Sequence, residues 1–242
     1  MARSYQKGDW KFMNYGYAAL DGQDQDLILD EEDLDNRYNI QLYDHCTETI
    51  NLSDLQVLEI GSGRGGGADY IMRYLKPEKM VGVDRSLEAV GLCNENYDVQ
   101  GLSFKTGDAE SLPFGNGSFD VVINVESSHC YRSMAGFLGQ VRRVLREGGY
   151  FLFADFRRTG DIEDLRNSLT NSGLKLIKET DITLNIIEAL NVDHDRKIAF
   201  IEEFAPKPLV GLFHEFSGTT GSLIYDRFVS GETAYLSFVF QK

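Results

Sequence analysis

From residue 55 onward, short apolar runs alternate with stretches whose apolar positions recur every three or four residues. The short runs predict strands, and the periodic stretches predict amphipathic helices. Val57–Ile60 reads as the first strand, and a glycine-rich turn follows it. Ala68–Leu75 reads as a helix that ends before Pro77. Met80–Val83, Leu102–Lys105, Phe119–Val125 and Tyr150–Ala154 read as further strands, with helices over Leu87–Asn96 and Met134–Arg146 between them. The run FDVVINV predicts a strand buried on both faces. This alternation predicts an α/β domain with a parallel, doubly wound sheet and right-handed crossovers.

The tail has a different rhythm. Leu174–Ile177 predicts a strand, Asn185–Phe204 a helical stretch, and Ala234–Phe240 alternates as an edge strand does. The expected division is a helical N-terminal lid over residues 1–50 and a main domain over 51–242. Within the main domain, roughly residues 183–230 would be a cap inserted over the substrate site.

Composition narrows the classes of function. The chain has 242 residues, 42% of them hydrophobic, enough for one large domain core. Its 38 Asp and Glu outweigh 24 Lys and Arg, a net charge of −14. That field repels phosphate backbones and anionic lipid, so neither nucleic acid nor membrane is an expected partner. No apolar run approaches a membrane span, and the opening MARSYQKGDWKF lacks the apolar stretch of a secretory leader. Cys46, Cys93 and Cys130 lie far apart with no CxxC, as expected of reduced thiols in a cytoplasmic protein. The acidic run at Asp30, Glu31, Glu32, Asp33 and Asp35 reads as a solvated helix start rather than a cation site.

The strongest chemical signal is VLEIGSGRGGG, residues 57–67. A strand ends, glycines turn the backbone, and a helix begins with unpaired N–H groups that can cradle a nucleotide-like ligand. Gly61, Gly63 and Gly66 satisfy GxGxxG, the dinucleotide fingerprint; Gly61, Gly63 and Gly65 satisfy the GxGxG of S-adenosylmethionine sites. Glu59 favours the second, because a carboxylate there opposes a pyrophosphate and welcomes an amino group. Asp84 ends the second strand, where it can accept both ribose hydroxyls or cap the next helix. Asp108 follows the third strand, beside the crevice of an open α/β sheet. There it can accept the adenine amino hydrogen while Ala109 N–H donates to a ring nitrogen.

In order and spacing, LEIGSGRGG, GVD, GDAESLPF, SFDVV and REGGYF resemble the successive motifs of class I S-adenosylmethionine-dependent methyltransferases. FMNYGY, NVESSHCY and, more weakly, GETAYLSFVFQK extend the likeness to small-molecule methyltransferases of lipid and polyketide pathways. It is greatest to the mycobacterial phthiotriolone/phenolphthiocerol dimycocerosate O-methyltransferases. NVESSHCY also resembles the EATCHAP stretch of sterol C-methyltransferases. The resemblance implies a Rossmann-like, seven-stranded, mostly parallel sheet in the order 3-2-1-4-5-7-6 with an antiparallel last strand. It implies that Glu59, Gly61, Ser62, Gly63 and Gly65 hold the methionine part of S-adenosylmethionine. Asp84 with Arg85 would bind the ribose and Asp108 with Ala109 the adenine, while Asn124 and Val125 would lie near the methionine moiety.

Methyl transfer from a sulfonium needs alignment above all, and a hydroxyl acceptor must also lose a proton. His129, just beyond the fourth strand, is the candidate base. Glu126, three residues earlier, would orient it or act itself. Cys130 reads as packing. His45 reads as a surface or interface residue, and His194 and His214 in the cap read as possible substrate contacts. The aromatic residues Trp10, Phe12, Tyr15 and Tyr17 fit either a packed helical stripe or a lid. In the lid, Tyr15 or Tyr17 would bond the cofactor carboxylate and exclude water. No aspartate cluster is seen for a metal. The expectation is a cytoplasmic, metal-independent methyltransferase, monomer or homodimer, acting on a hydroxyl of a small apolar natural product. C-methylation, a cyclase that binds S-adenosylmethionine without transferring its methyl group, and a non-catalytic partner protein with a vestigial site are the alternatives.

Overall fold

A computed structural model describes residues 10–20 and 27–242. It shows an α/β fold on seven strands: β1 (Gln56–Ile60), β2 (Lys79–Asp84), β3 (Leu102–Thr106), β4 (Phe119–Val125), β5 (Leu145–Arg158), β6 (Lys175–Asp181) and β7 (Thr233–Gln241). The sheet runs β3-β2-β1-β4-β5-β7-β6. The first five strands are parallel, and β7 is antiparallel to both β5 and β6. The order reverses between β1 and β4, so a crevice opens at their carboxyl ends.

Nine helices among the described residues surround the sheet: α1 (Arg37–Thr47), α2 (Gly66–Tyr70), α3 (Leu87–Asn96), α4 (Met134–Val144), α5 (Ile162–Thr170), α6 (Thr183–Val192), α7 (His194–Phe204), α8 (Val210–Ser217) and α9 (Leu223–Val229). One sheet face packs Ile40, Tyr70, Ile71, Ile186 and Phe228 against Val57, Val121, Ile123 and Leu152. The other packs Phe137, Val141, Leu165 and Leu169 against Leu58, Val122, Phe151 and Phe153. Both faces are therefore covered, as a parallel sheet requires.

Several elements depart from the sequence expectation. The last strand is not at the edge: Tyr235, Leu236, Phe238, Val239 and Phe240 are all buried. The edge is β6, whose exposed KLIKETD carries the charges that discourage strand addition. β5 extends well beyond Tyr150–Ala154 because β7 pairs with it from Tyr150 to Arg158. The helix expected through Arg146 stops at Val144, where Leu145 joins β4 opposite Phe119. The helix after the glycine loop passes into a π turn over Ile71–Leu75, closed by Lys76 in the left-handed region. The stretch 185–204 is two helices, broken at Asp193.

Residues 10–20 contain no helix. They form an extended strap across the open end of the sheet, fixed at several points. Asn14 and Asn39 exchange hydrogen bonds, Tyr17 N–H donates to Tyr38 O, and Ala18 N–H donates to Asn185 O. The helical lid expected over residues 1–50 thus reduces to α1 and a 3-10 turn at Glu31–Asn36, with residues 1–9 and 21–26 outside the described ones. That turn is not wholly solvated: Asp33 is buried, accepts from Tyr74 Oη at 2.8 Å, and pairs with Arg73 and Lys11.

Candidate active site

The glycine loop joins β1 to α2 and is built by positive φ at Gly61 (80°), Gly63 (52°) and Gly65 (85°). A Cβ on Gly61 would run into Ser127 Oγ, and one on Gly67 into the Tyr43 ring. At Gly63 a Cβ would meet only Met13 Sδ, at an ordinary contact distance of 3.5 Å. The loop amides are already used. Gly61 and Ser62 donate to Val83 O at 2.7 and 3.0 Å, Gly63 to Asp84 Oδ2 at 2.9 Å, Gly65 to Ser62 O and Gly66 to Lys11 O. The expected cradle of unpaired N–H groups is therefore absent at these five positions. Left-handed glycines aim the amides at the end of β2 and at the strap instead of at a ligand. A pyrophosphate would meet few donors there and a buried acid, which disfavours a dinucleotide.

That acid is Glu59, fully buried in β1. Its Oε1 accepts from Tyr43 Oη at 2.7 Å, and its Oε2 has no hydrogen-bond partner. Burial pushes the carboxyl up to about 7, against the Tyr43 hydrogen bond. Ser62 Oγ and Asn124 Oδ1, both at the carboxyl ends of the central strands, are also buried without a partner. Buried polar atoms are rarely left unsatisfied, so three at one crevice mark where a polar ligand belongs. Asn124 Nδ2 meanwhile ties Ile60 O, Ser127 Oγ and Tyr131 Oη together at 2.7–3.0 Å.

A cleft of about 670 Å³ lies over this crevice. Gly61, Ser62, Gly63, Asp84, Arg85 and Asp108 line its cofactor side, and Glu126, Ser127, Cys130 and Tyr131 the far side. The remaining wall is largely apolar, with Trp10, Phe12, Met13, Leu212, Phe213 and Phe216 from the strap and α8. Asp84 does not cap α3, which Ser86 caps through Ala89 N–H. Its oxygens accept from Gly63 N–H at 2.9 Å and Ser86 N–H at 2.8 Å, so it fixes two loops at once. Asp108 accepts from Glu110 N–H at 2.9 Å, and Ala109 is buried beside it.

Beyond β4, Glu126 stands at φ 45°, a strained conformation for a residue with a side chain. Its Oε1 accepts from Tyr15 N–H at 2.9 Å. Burial, with Asp155 adding repulsion, raises its pKa to about 8 despite that hydrogen bond. The next turn, Ser128–Cys130, carries His129. The sequence reading missed the residue that orients this histidine. Asp155, fully buried in β5, bonds His129 Nδ1 at 2.9 Å, His129 N–H at 3.1 Å and Ser128 Oγ at 2.6 Å. Burial alone would lower the His129 pKa, but the Asp155 hydrogen bond and charge outweigh it and the net shift is upward. His129 keeps 29% of its side chain exposed and packs its ring, tilted by 37°, against Phe156 at 4.6 Å. Its sequence neighbours Glu126, Ser127 and Cys130 line the cleft, next to which His129 stands. The signal for Asp155 is a carboxylate closing the apolar run FLFAD.

The other sequence candidates lie apart. Tyr15 packs its ring on Phe156 and Phe228, so only its backbone reaches the site. Tyr17 stacks on His45 at 4.7 Å, and that histidine is buried, bonding Ser237 Oγ at 2.9 Å, not exposed at an interface. His194 accepts from Thr220 N–H and His214 meets Thr219 Oγ1, both within the cap and outside the cleft lining. Among the described residues no cluster of three or more His, Cys, Asp or Glu could hold a metal ion, and no helix is long and apolar enough to cross a membrane.

A glycine turn after β1 and acids closing β2 and following β3, on a sheet with an antiparallel seventh strand, define the Rossmann-like class I methyltransferase fold. A family model described as a methyltransferase domain matches residues 58–153. The chain is 34% identical to the phthiotriol/phenolphthiotriol dimycocerosates methyltransferase of Mycobacterium tuberculosis, over 100% of its own length and 89% of that protein. It is 33% identical to a fatty-acid O-methyltransferase of Mycolicibacterium smegmatis, over 99% and 86%. Its fold is similar to a solved cyclopropane synthase of Mycobacterium tuberculosis, with a TM-score of 0.76, 13% identity, and coverage of 100% and 97%. The chain belongs to the S-adenosylmethionine-dependent methyltransferases. The orphaned acceptors Glu59 Oε2 and Asn124 Oδ1 and the carboxylates of Asp84 and Asp108 fit that cofactor, which brings an amino group and ribose and adenine donors.

Proposed function

We propose that the enzyme methylates a hydroxyl group of a small, largely apolar, polyketide- or lipid-like molecule in the cytoplasm. The observation that carries this reading is the His129–Asp155 pair beside a cleft walled by Trp10, Phe12, Phe213 and Phe216. The names of the two relatives, a dimycocerosates methyltransferase and a fatty-acid O-methyltransferase, support a lipid-like acceptor. Between them, the His129–Asp155 pair favours the hydroxyl, because a carboxylate acceptor is already ionised and needs no base.

Glu59 and the Gly63 backbone hold the methionine part of the cofactor, Asp84 with Arg85 the ribose, and Asp108 with Ala109 the adenine. When bound, S-adenosylmethionine supplies an activated methyl group. The protein supplies alignment, exclusion of water and a place for the acceptor's proton. His129 takes that proton at Nε2, because Asp155 engages Nδ1 and so fixes the tautomer. Asp155 then stabilises the imidazolium. Glu126, at the cleft wall, orients the hydroxyl. The strap covers the cleft as a lid, and α6–α9 cap its apolar end.

The test is incubation with S-adenosylmethionine carrying a deuterated methyl group and 4-dodecylphenol, 1-dodecanol or palmitic acid. The expected product is a labelled methyl ether, formed with one S-adenosylhomocysteine. Label on carbon would favour C-methylation, label only on palmitate would remove the need for His129, and binding without transfer would overturn the reading.

A further inference from the structure

Lysine is rarely buried, because a cation loses hydration that only good partners replace. Lys197 on α7 keeps 10% of its side chain exposed. A leucine or methionine would fill the same space among Phe200, Ile201 and Phe204 at lower desolvation cost. Its partners indicate why an amine is there. Nζ donates to Tyr15 O at 3.3 Å, and Asp193 Oδ2 lies 3.9 Å away. Asp193 is already held by Arg196 through two 2.6 Å hydrogen bonds, so it is not committed to the lysine.

Tyr15 is the residue whose N–H donates to Glu126 Oε1 at 2.9 Å. One strap residue therefore joins a cap helix to the carboxylate at the end of β4, through its own C=O and N–H. The Tyr15 ring touches Phe156, against which the His129 ring also packs. Behind the ring, Gly218 at φ 66° leaves no room for a Cβ without contacts of 3.1 Å. The strap is thus held from α1, from α6 and from α7; charged groups meet it at Lys11 with Asp33, at Trp10 O with Arg64 and, nearest Glu126, at Tyr15 O with Lys197.

We infer that Lys197 is a positioning residue: from the cap it fixes the Tyr15 backbone and, through it, the orientation of Glu126 and the positive field at that carboxylate. Its role in turnover rests on the reading of Glu126 as part of the reaction centre. Every charged or titratable group facing the pair enters the balance. Glu126 meets Asp155 from β5, His129 from the following turn, Tyr235 from β7, Tyr43 and Cys46 from α1, and the Tyr15 phenol from the strap. Lys197 meets Asp193, Arg196 and Glu126, and burial lowers its own pKa to about 8. Lys197 is a cation among mainly acidic neighbours of Glu126, so its removal raises the Glu126 pKa further.

The experiment is a carboxyl 13C NMR titration of Glu126, assigned by the signal lost in Glu126→Gln. It needs no acceptor and no turnover. In Lys197→Met the midpoint is expected to rise by about half a unit or more, while Lys197→Arg stays near the wild type. With a methylated acceptor in hand, Lys197→Met should lower kcat by roughly 10-fold and leave the KM for S-adenosylmethionine unchanged. Should Lys197→Met fail to fold, Lys197→Gln takes its place with the same expected rise. An unchanged midpoint in a folded variant overturns the inference. A shifted midpoint in an enzyme that methylates no hydroxyl keeps the inference and defeats only the proposed acceptor.

Discussion

Two glutamates end neighbouring strands of the same sheet, and their surroundings divide them. Glu59 closes β1 and Glu126 follows β4. Each has one oxygen that accepts from a close donor, Tyr43 Oη for Glu59 and Tyr15 N–H for Glu126, with Ala68 N–H also acting on the first and Tyr235 Oη on the second. Burial pushes both upward, to about 7 and about 8. Glu59, however, is sealed, and its second oxygen has no partner. A ligand that reaches in with a donor would satisfy it, which fits the proposed binding role. Glu126 lines the cleft on strained backbone with the His129–Asp155 pair behind it, which suits proton handling. On the proposed reading, the same chemistry near neighbouring strand ends serves different ends, and the difference lies in what each carboxylate faces.

The largest expected effect breaks the second corner alone. His129→Ala should lower turnover by about 10²-fold or more while leaving S-adenosylhomocysteine affinity intact; steady-state rates and calorimetry check the two halves. Asp155→Asn should cost roughly 10-fold to 10²-fold in turnover. It should also shift the acid limb of the pH–rate profile downward, since Asp155 is what holds the His129 pKa above 6.5. A limb that stays in place would remove Asp155 from the base. At the first corner, Asp84→Ala should weaken S-adenosylhomocysteine binding by about 1–3 kcal/mol. It should also lower the melting temperature, because the Gly63 and Ser86 amides lose their acceptor.

The smallest effect concerns stability of the ligand-free protein. A carboxyl whose folded pKa is raised stabilises the fold fully below its unfolded pKa, and that contribution is lost as pH rises through the folded value. For Glu126 the loss runs from about pH 4.5 to about pH 8. Glu126→Gln should therefore raise the melting temperature relative to wild type by more at pH 8 than at pH 5. An equal difference at both pH values would mean that Glu126 is less buried than its contacts indicate.

Legibility in the sequence follows the same division. The strands of the nucleotide crevice were readable because apolar runs and glycines act locally: Phe119–Val125 and Leu87–Asn96 have the expected bounds. Glu59, Asp84 and Asp108 were readable because strand ends fix where a carboxylate goes. His129 was found by its distance from β4. Asp155 escaped because its role depends on the β4–β5 register, in which Val125 pairs with Ala154. Tyr43, Tyr15 and Lys197 act across elements far apart in sequence, and no local pattern carries that information. The alternating pattern in Ala234–Phe240 misled: it suggested an edge, whereas pairing on both sides buries the strand, in the order 3-2-1-4-5-7-6 that the resemblance implied.

The most direct measurement of this division is calorimetric titration of S-adenosylmethionine at pH 6.5 in buffers of different ionisation enthalpy. Glu59 is largely protonated in the free protein at that pH, and a cationic ligand favours its ionised form. The account therefore expects a proton to be released on binding in the wild type and in Glu126→Gln, and not in Glu59→Gln. Equal proton release in all three, or its loss in Glu126→Gln instead, would contradict the assignment of Glu59 to binding and Glu126 to the reaction.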